Sequence, residues 1–213
     1  KLKNTKTLND TYKSLFGKIG MGLEYLFNRS GPISMAPSQL GVFAKSDPSL
    51  DEPNLQYHIQ PLSLDAFGEP LHTFSAITAS VCNLQPDSRG TVTIRSPHTE
   101  DNPVIKPNYL SSQTDKDIAA KSITLTRNIF ATEAMRKYEP KEFLPGAEYQ
   151  SRKALAEQAG NISTSIFHPV GTAKMGTGKD AVVDRELNVY GIQNLRVVDA
   201  SIMPKITSGN TNS

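Results

Sequence analysis

The sequence contains no tryptophan, a single cysteine and no long apolar run, and the last two features each exclude a class of protein. One cysteine cannot close a disulfide within the chain, which excludes a disulfide-stapled scaffold. No apolar run approaches the ~18 residues that a membrane-spanning helix needs. The 23 basic and 21 acidic residues nearly cancel and are interspersed, so we predict no nucleic-acid partner.

Nucleotide-binding and metal-binding motifs are also missing. The segment Gly20-Met21-Gly22 begins a GxGxxG motif, but Tyr25 occupies the third glycine position and no strand is predicted before it. In Gly178-Lys179-Asp180 an aspartate stands where a P-loop requires serine or threonine. The four histidines never occur at the short spacings of a zinc site, so we predict no metal.

The length and the two ends of the chain suggest part of something larger. The 213 residues, 37% of them hydrophobic, suffice for one large domain or two small ones. The chain starts at Lys1 without an initiating methionine and stops in the turn-rich segment 207–213, so we expect a fragment. Cys82 lies in an apolar run typical of a strand, where a buried, inert thiol is expected.

Apolar periodicity predicts an α+β fold. A helical repeat runs from Leu8 to Phe27, and Gly31-Pro32 supplies its stop. Residues 56–60 alternate with period two, and residues 73–84 and 91–95 are predicted to pair as a hairpin across the turn 86–90. Further predicted elements are helices at 115–138 and 151–159 and short strands at 166–167, 182–183, 187–189 and 195–198. After the helix at 151–159 the helical periodicity is replaced by short apolar runs that are separated by glycine or aspartate turns. We therefore place a domain boundary near residue 162.

His168 is the remaining candidate for chemistry. It lies in Phe167-His168-Pro169-Val170-Gly171-Thr172, between a predicted strand and a turn, where a rigid backbone can expose a side chain. Taken alone, this histidine is equally well explained as a structural residue, because a single imidazole without a visible partner decides nothing.

The sequence that begins at His168 and runs to the end of the chain helps to interpret this histidine. The stretches HPVGTAKMG, VVDRELNVYGIQNLRVVDASIMP and SGNTN follow one another in this order. Together they resemble the carboxy-terminal signature of the glucose-methanol-choline (GMC) oxidoreductases, most of all the choline dehydrogenase branch. GPIS near residue 31, SRGTVTIRS and PVIKPNYLSSQTDKDI extend the resemblance over nearly the whole chain.

The resemblance implies an FAD-dependent oxidation of a primary alcohol, with choline as one candidate, to an aldehyde. It implies a substrate-binding domain at 1–162, with an antiparallel sheet of about six strands and flanking helices, and the carboxy-terminal part of an FAD domain at 163–213. Because the family's amino-terminal GxGxxG unit is missing, the isolated chain is expected to be flavin-free and inactive. The expected partner is a small-molecule alcohol, and the expected location is the cytoplasm or the inner face of a membrane. The electron acceptor stays open.

Residue by residue, the resemblance implies an active-site pair made of His168 as the base and Asn210 as the second residue. A base with a pKa near neutrality suits the removal of a hydroxyl proton, and an amide can stabilise the developing alkoxide. The resemblance also implies flavin contacts from Asp199, Ala200, Asn210 and Thr211. An asparagine in a turn and an aspartate that caps a helix or turn are the structural alternatives for Asn210 and Asp199.

On the substrate side, the resemblance points to His58 and Phe167. His58 could instead be an ordinary histidine on a sheet face. A quaternary ammonium substrate needs an aromatic face or a carboxylate. The aromatic face would come from residues such as Tyr57 or Phe167, or from a part of the enzyme outside this chain, and the sequence identifies no carboxylate for the pocket. The alternative hypothesis from another class is a non-catalytic binding or scaffold module that retains the fold.

Overall fold

A computed structural model describes residues 1–36, 38–66 and 68–212. Within these ranges five α-helices and five β-strands form. The helices are α1 (Leu8–Lys13), α2 (Leu15–Asn28), α3 (Gln113–Phe130), α4 (Glu133–Arg136) and α5 (Arg152–Ile162), and the strands are β1 (Leu40–Ala44), β2 (Leu55–Gln60), β3 (Thr78–Asn83), β4 (Thr91–Thr93) and β5 (Val104–Lys106). Two short 3₁₀ turns lie at Pro32–Ser34 and Ala200–Ile202.

The chain divides into two compact units. Unit 1 comprises residues 1–82 and 119–162, and unit 2 comprises residues 83–118 and 163–213. Residues 83–118 therefore belong to the same compact unit as the carboxy-terminal residues.

Unit 1 is organised around the strand β2, which lies between β1 and β3 in a three-stranded sheet. β1 and β2 run antiparallel, with Leu40 opposite Ile59. The predicted alternation on β2 holds at its start, where Leu55 and Tyr57 are both 1% exposed, but not at its end, where Gln60 is buried and Ile59 is only partly buried. The Tyr57 hydroxyl lies 3.0 Å from Thr126 Oγ1 and donates to the Ser122 carbonyl, both on α3. Burying such a side chain contributes about 2 kcal/mol and fixes this face of β2 against the helix.

A charged clasp in unit 1 ties α3 to the chain that follows it. The Arg127 guanidinium donates to both carboxylate oxygens of Glu142 at 2.9 Å and to the carbonyls of Gly146 and Tyr149. The Glu142 carboxylate in turn accepts the backbone N–H of Gly146. A two-point arginine–carboxylate contact is among the stronger side-chain interactions, so the loop 142–149 is held in one geometry.

The predicted helices form, but with different ends. The single helix predicted from Leu8 to Phe27 is broken at Ser14, which has extended backbone angles and accepts a hydrogen bond from the Gly17 N–H as the cap of α2. α2 ends at Asn28, and Arg29 caps it with a left-handed φ of 51°, before the predicted stop at Gly31-Pro32. The helix predicted at 115–138 is interrupted after Phe130. The helix predicted at 151–159 continues through a glycine to Ile162.

The predicted hairpin is wrong. The strand β3 belongs to the sheet of β1 and β2, and β4 pairs antiparallel with β5. The cause is Asp115, whose carboxylate accepts the backbone N–H groups of Asp87 and Ser88 and so ties the turn to the start of α3. The described residues thus form five strands in sheets of three and two, where about six in one antiparallel sheet were predicted.

The carboxy-terminal strands are reduced to isolated bridges. Val183, which is fully buried, bridges to Met175 and to Val189, but no continuous ladder forms among the described residues. Asp184 explains the difference, because its Oδ1 accepts the backbone N–H groups of Glu186 and Asn188. Such local side-chain bonds compete with strand pairing.

Two further expectations concern membranes and the thiol. In the ranges that the structure describes, every helix is too short or too polar to cross a bilayer. Cys82 lies on β3 as predicted, although it is only partly buried. Burial raises the pKa of its thiol, which keeps it in the unreactive protonated form.

Candidate active site

The backbone before His168 forms a tight turn where a strand was predicted. Phe167 has a left-handed φ of 65°, and its N–H donates to the Ser165 hydroxyl at 2.9 Å. Such a conformation costs a bulky residue about 1–3 kcal/mol. Pro169, which follows, restricts the backbone further. His168 is therefore positioned by a locally constrained turn and not by a sheet.

The chain after His168 lies alongside residues 201–203. The N–H of Ala173 donates to the Ser201 carbonyl at 3.0 Å, and the N–H of Met175 donates to the Ile202 carbonyl at 2.7 Å. Gly171 has a positive φ of 87°, and a Cβ atom there would come 3.3 Å from the Met203 carbonyl oxygen. A side chain would be strained at this close approach, so the glycine is needed where the two segments meet.

The structure brings His168 together with the SGNTN segment. His168 Nδ1 lies 3.1 Å from the Thr211 hydroxyl, and both residues are half-buried. Asn210, which precedes Thr211, has a buried Oδ1 without a hydrogen-bond partner among the described residues. A buried polar atom without a partner costs about 1–3 kcal/mol, and in native proteins it commonly marks a place where another group binds.

Asp199 has the capping role that was the structural alternative. Its carboxylate accepts the Ser201 N–H at 2.8 Å and so caps the turn Ala200–Ile202. Hydrogen bonds from the Ser201 side chain and backbone lower the pKa of Asp199 below its usual value. The DAS segment is thus rigid where it runs beside the residues that follow His168.

His58 lies in unit 1, on the face of β2 opposite Tyr57. Its Nε2 is buried and has no partner within the described residues, and the same holds for Oε1 of Gln56 on the same face. Gln56 stands two residues before His58 on the same strand, but the alternation of the sequence did not distinguish it from an ordinary strand residue. Tyr57 cannot serve as an aromatic cage, because its ring is buried under α3. Phe167 is 70% exposed.

A second histidine cluster is structural. His72 contacts the Ser63 hydroxyl through Nδ1 at 2.8 Å and the Asp65 carboxylate through Nε2 at 3.0 Å, an arrangement that resembles a nucleophile with its base. However, Ser63 is only 8% exposed, and its N–H donates to Asn9 Oδ1, so the serine's own amide cannot stabilise an oxyanion. Among the residues described, no cluster of side chains suits a metal ion.

Comparison with known proteins gives concordant results. The family model described as GMC oxidoreductase matches residues 86–213. An alcohol dehydrogenase [acceptor] from Pseudomonas putida is 38% identical over 92% of this chain and 36% of its own length. The mitochondrial choline dehydrogenase of Homo sapiens is 39% identical over 97% of this chain and 35% of its own length. The chain thus spans about a third of the length of these relatives.

The fold is shared with a solved flavoprotein. A formate oxidase from Aspergillus oryzae RIB40, whose structure was solved to follow modification of its FAD, superposes with a TM-score of 0.86. It is 22% identical, and the superposition covers 98% of this chain and 41% of that chain. The likeness concerns the fold.

Proposed function

The chain belongs to the GMC oxidoreductases, and from this membership we propose that it is part of an FAD-dependent enzyme that oxidises a primary alcohol to an aldehyde with His168 as the base. In this proposal residues 1–162 bind the substrate and residues 163–213 complete the flavin domain. The alcohol is a small molecule, and choline is the first single compound to test, because two kinds of relatives are named as alcohol and choline dehydrogenases.

One observation carries the proposal. His168 has one ring nitrogen engaged by Thr211, and its other nitrogen, Nε2, has no hydrogen-bond partner within the described part of the chain. A histidine held in this way on a constrained backbone is suited to take up a proton at Nε2. The adjoining buried oxygen of Asn210 adds a polar group that lacks a partner in the same segment as Thr211.

The residues present suit FAD as the bound group. The buried Oδ1 of Asn210 is an acceptor without a donor among the described residues, and the ring N–H of an oxidised flavin is a group that could supply one. Asn210 and Thr211 would hold the ring end of the cofactor, with Asp199 and Ala200 as further contacts. When bound, FAD supplies the acceptor for the hydride that leaves the alcohol carbon.

The chain's own residues have separate tasks in this reaction. His168 removes the hydroxyl proton, a contribution typically worth about 10²–10⁴-fold in rate. The side-chain amide of Asn210 donates to the alcohol oxygen as negative charge develops there, without competing for the proton. His58 and Phe167 are the residues proposed for substrate contacts, and Gln56 is a further candidate in unit 1 because it lies on the same face of β2 as His58.

We expect the isolated chain to purify without flavin. The glycine-rich loop that would cradle the pyrophosphate is absent from residues 1–213, so only contacts to the ring end remain. The measurement is the flavin-to-protein ratio of the purified chain, compared with the full-length enzyme prepared in parallel. A chain that carries stoichiometric FAD would show that the ring-end contacts suffice for binding.

The substrate is tested with a panel of alcohols. We expect the full-length enzyme to oxidise a primary alcohol in the presence of an artificial electron acceptor, and the panel consists of choline, benzyl alcohol, aliphatic alcohols and glucose. Oxidation of an uncharged alcohol but not of choline would eliminate the cation-binding idea while leaving His168 as the base. If the FAD-bound enzyme oxidised none of these compounds, the proposed reaction would be contradicted and a non-catalytic binding module would be favoured.

A further inference from the structure

The contact between His168 and Thr211 can place the ring proton in two ways. At a separation of 3.1 Å, either Nδ1–H donates to the hydroxyl oxygen or the hydroxyl donates to a bare Nδ1. A neutral imidazole carries one proton on its two nitrogens, so the direction of this bond decides which nitrogen keeps a lone pair. The two arrangements therefore predict opposite chemistry at Nε2.

Only one arrangement is compatible with a base. If the Thr211 hydroxyl donated to Nδ1, the ring proton would lie on Nε2, which could then accept nothing from an alcohol. If Nδ1–H donates to Thr211, then Nε2 keeps its lone pair. The same bond also persists after His168 has taken up a proton, because both nitrogens of an imidazolium are donors.

We propose that Thr211 is a positioning residue that accepts a hydrogen bond from Nδ1–H of His168, and thereby holds the imidazole in the tautomer whose Nε2 can remove the alcohol proton. This inference rests on the proposed function. It gives Thr211 a role through its side chain that is separate from its expected contact with the flavin.

The surroundings of the pair favour a fixed geometry. Thr211 is half-buried and β-branched, so its hydroxyl has few available directions. His168 is held from the other side by the turn at Phe167 and by Pro169. With both partners restrained, the orientation of the ring depends on the hydroxyl, since the described residues offer Nδ1 no other hydrogen-bond partner.

The test reads the tautomer directly. The full-length FAD-bound enzyme is labelled with ¹⁵N-histidine, and the signals of His168 are assigned by comparison with the His168→Asn variant. At a pH where the ring is neutral, we expect a protonated Nδ1 and a bare Nε2 in the wild type. Thr211→Val, which matches threonine in shape, is expected to shift the ring toward the Nε2–H tautomer, whereas Thr211→Ser should retain the wild-type signals.

Turnover provides the second readout. Because most of the Thr211→Val enzyme would hold the proton on the wrong nitrogen, we expect kcat to fall by about 10- to 100-fold, the range found for partners that orient metal-binding histidines. Thr211→Ser should restore most of the activity. Flavin content is measured in each variant, so that a loss of cofactor is recognised as such.

The outcomes separate this inference from the proposed function. A protonated Nε2 in the wild type, or an unchanged tautomer in Thr211→Val, would overturn the role of Thr211. The wild-type spectrum decides the matter even if the valine variant fails to bind flavin. In contrast, undiminished turnover in His168→Ala would overturn the proposed base whichever tautomer is found.

Discussion

Replacing His168 by alanine is expected to lower kcat of the full-length, FAD-bound enzyme by at least about 10²-fold, because general base catalysis is removed. Flavin content should stay the same, since the proposed ring-end contacts come from Asp199, Ala200, Asn210 and Thr211. Steady-state kinetics with the alcohol substrate, together with the absorbance of the bound flavin, measure both quantities.

A matched control is available in the same unit. His98 is an exposed histidine of unit 2, and its replacement by alanine removes an imidazole without touching the candidate active site. We expect His98→Ala to keep wild-type turnover. Equal turnover of His168→Ala and His98→Ala would make His168 a structural residue, and loss of flavin in His168→Ala would assign it to cofactor binding.

The second large effect concerns stability. We expect Asp115→Ala to lower the free energy of unfolding by about 2–4 kcal/mol, because several donors lose a buried acceptor at once. Asp115 is 3% exposed, and its carboxylate accepts from the backbone N–H groups of Asp87 and Ser88 and from the Asn83 side chain. Urea denaturation followed by circular dichroism measures the change, and Asp51→Ala, at an exposed carboxylate, is the control.

The same contacts predict a pH dependence. Burial alone would raise the pKa of Asp115, but the hydrogen bonds from Ser88, Asp87 and Ser112 outweigh it and lower the pKa. A carboxylate whose pKa is lower in the folded state stabilises the fold above its unfolded pKa of about 3.9, and this contribution disappears as the pH falls through the folded pKa. The difference between wild type and Asp115→Ala should therefore shrink below about pH 4. A difference independent of pH would contradict this explanation.

Local patterns predicted the elements better than they predicted the pairing. The alternation on β2 was predictable, because period two buries Leu55 and Tyr57 on one face. The partner of β3 was not, because the turn at 86–90 is tied by Asp115, which lies beyond the next two strands in sequence. Turn chemistry shows that the chain reverses, but it does not show which strand it will then join.

The helix ends differ for a similar reason. Ser14 was placed inside a helix because the apolar repeat continues across it, yet a serine can also begin a helix by accepting a backbone N–H. The apolar repeat of α2 also does not correspond to buried side chains in unit 1. Leu15, Phe16 and Phe27 are all exposed in this structure.

The candidate site depended on the family resemblance. Nothing in spacing or periodicity connects His168 with Thr211, since they are far apart in sequence and are brought together by the tertiary fold. The error at Tyr57 was avoidable, because the same alternation that exposes one face of β2 turns this ring toward the core. The resemblance marked Asn210, and the structure added the observation that its buried oxygen lacks a partner among the described residues.

The removal of the alcohol proton by His168 is tested most directly by mixing the full-length enzyme with a primary alcohol in the absence of oxygen and other electron acceptors. The absorbance of oxidised flavin then reports one turnover without product release. We expect rapid loss of this absorbance in the wild type and a rate at least about 10²-fold lower in His168→Ala, with FAD bound in both. Equal rates in the two enzymes would contradict the assignment of His168 as the base.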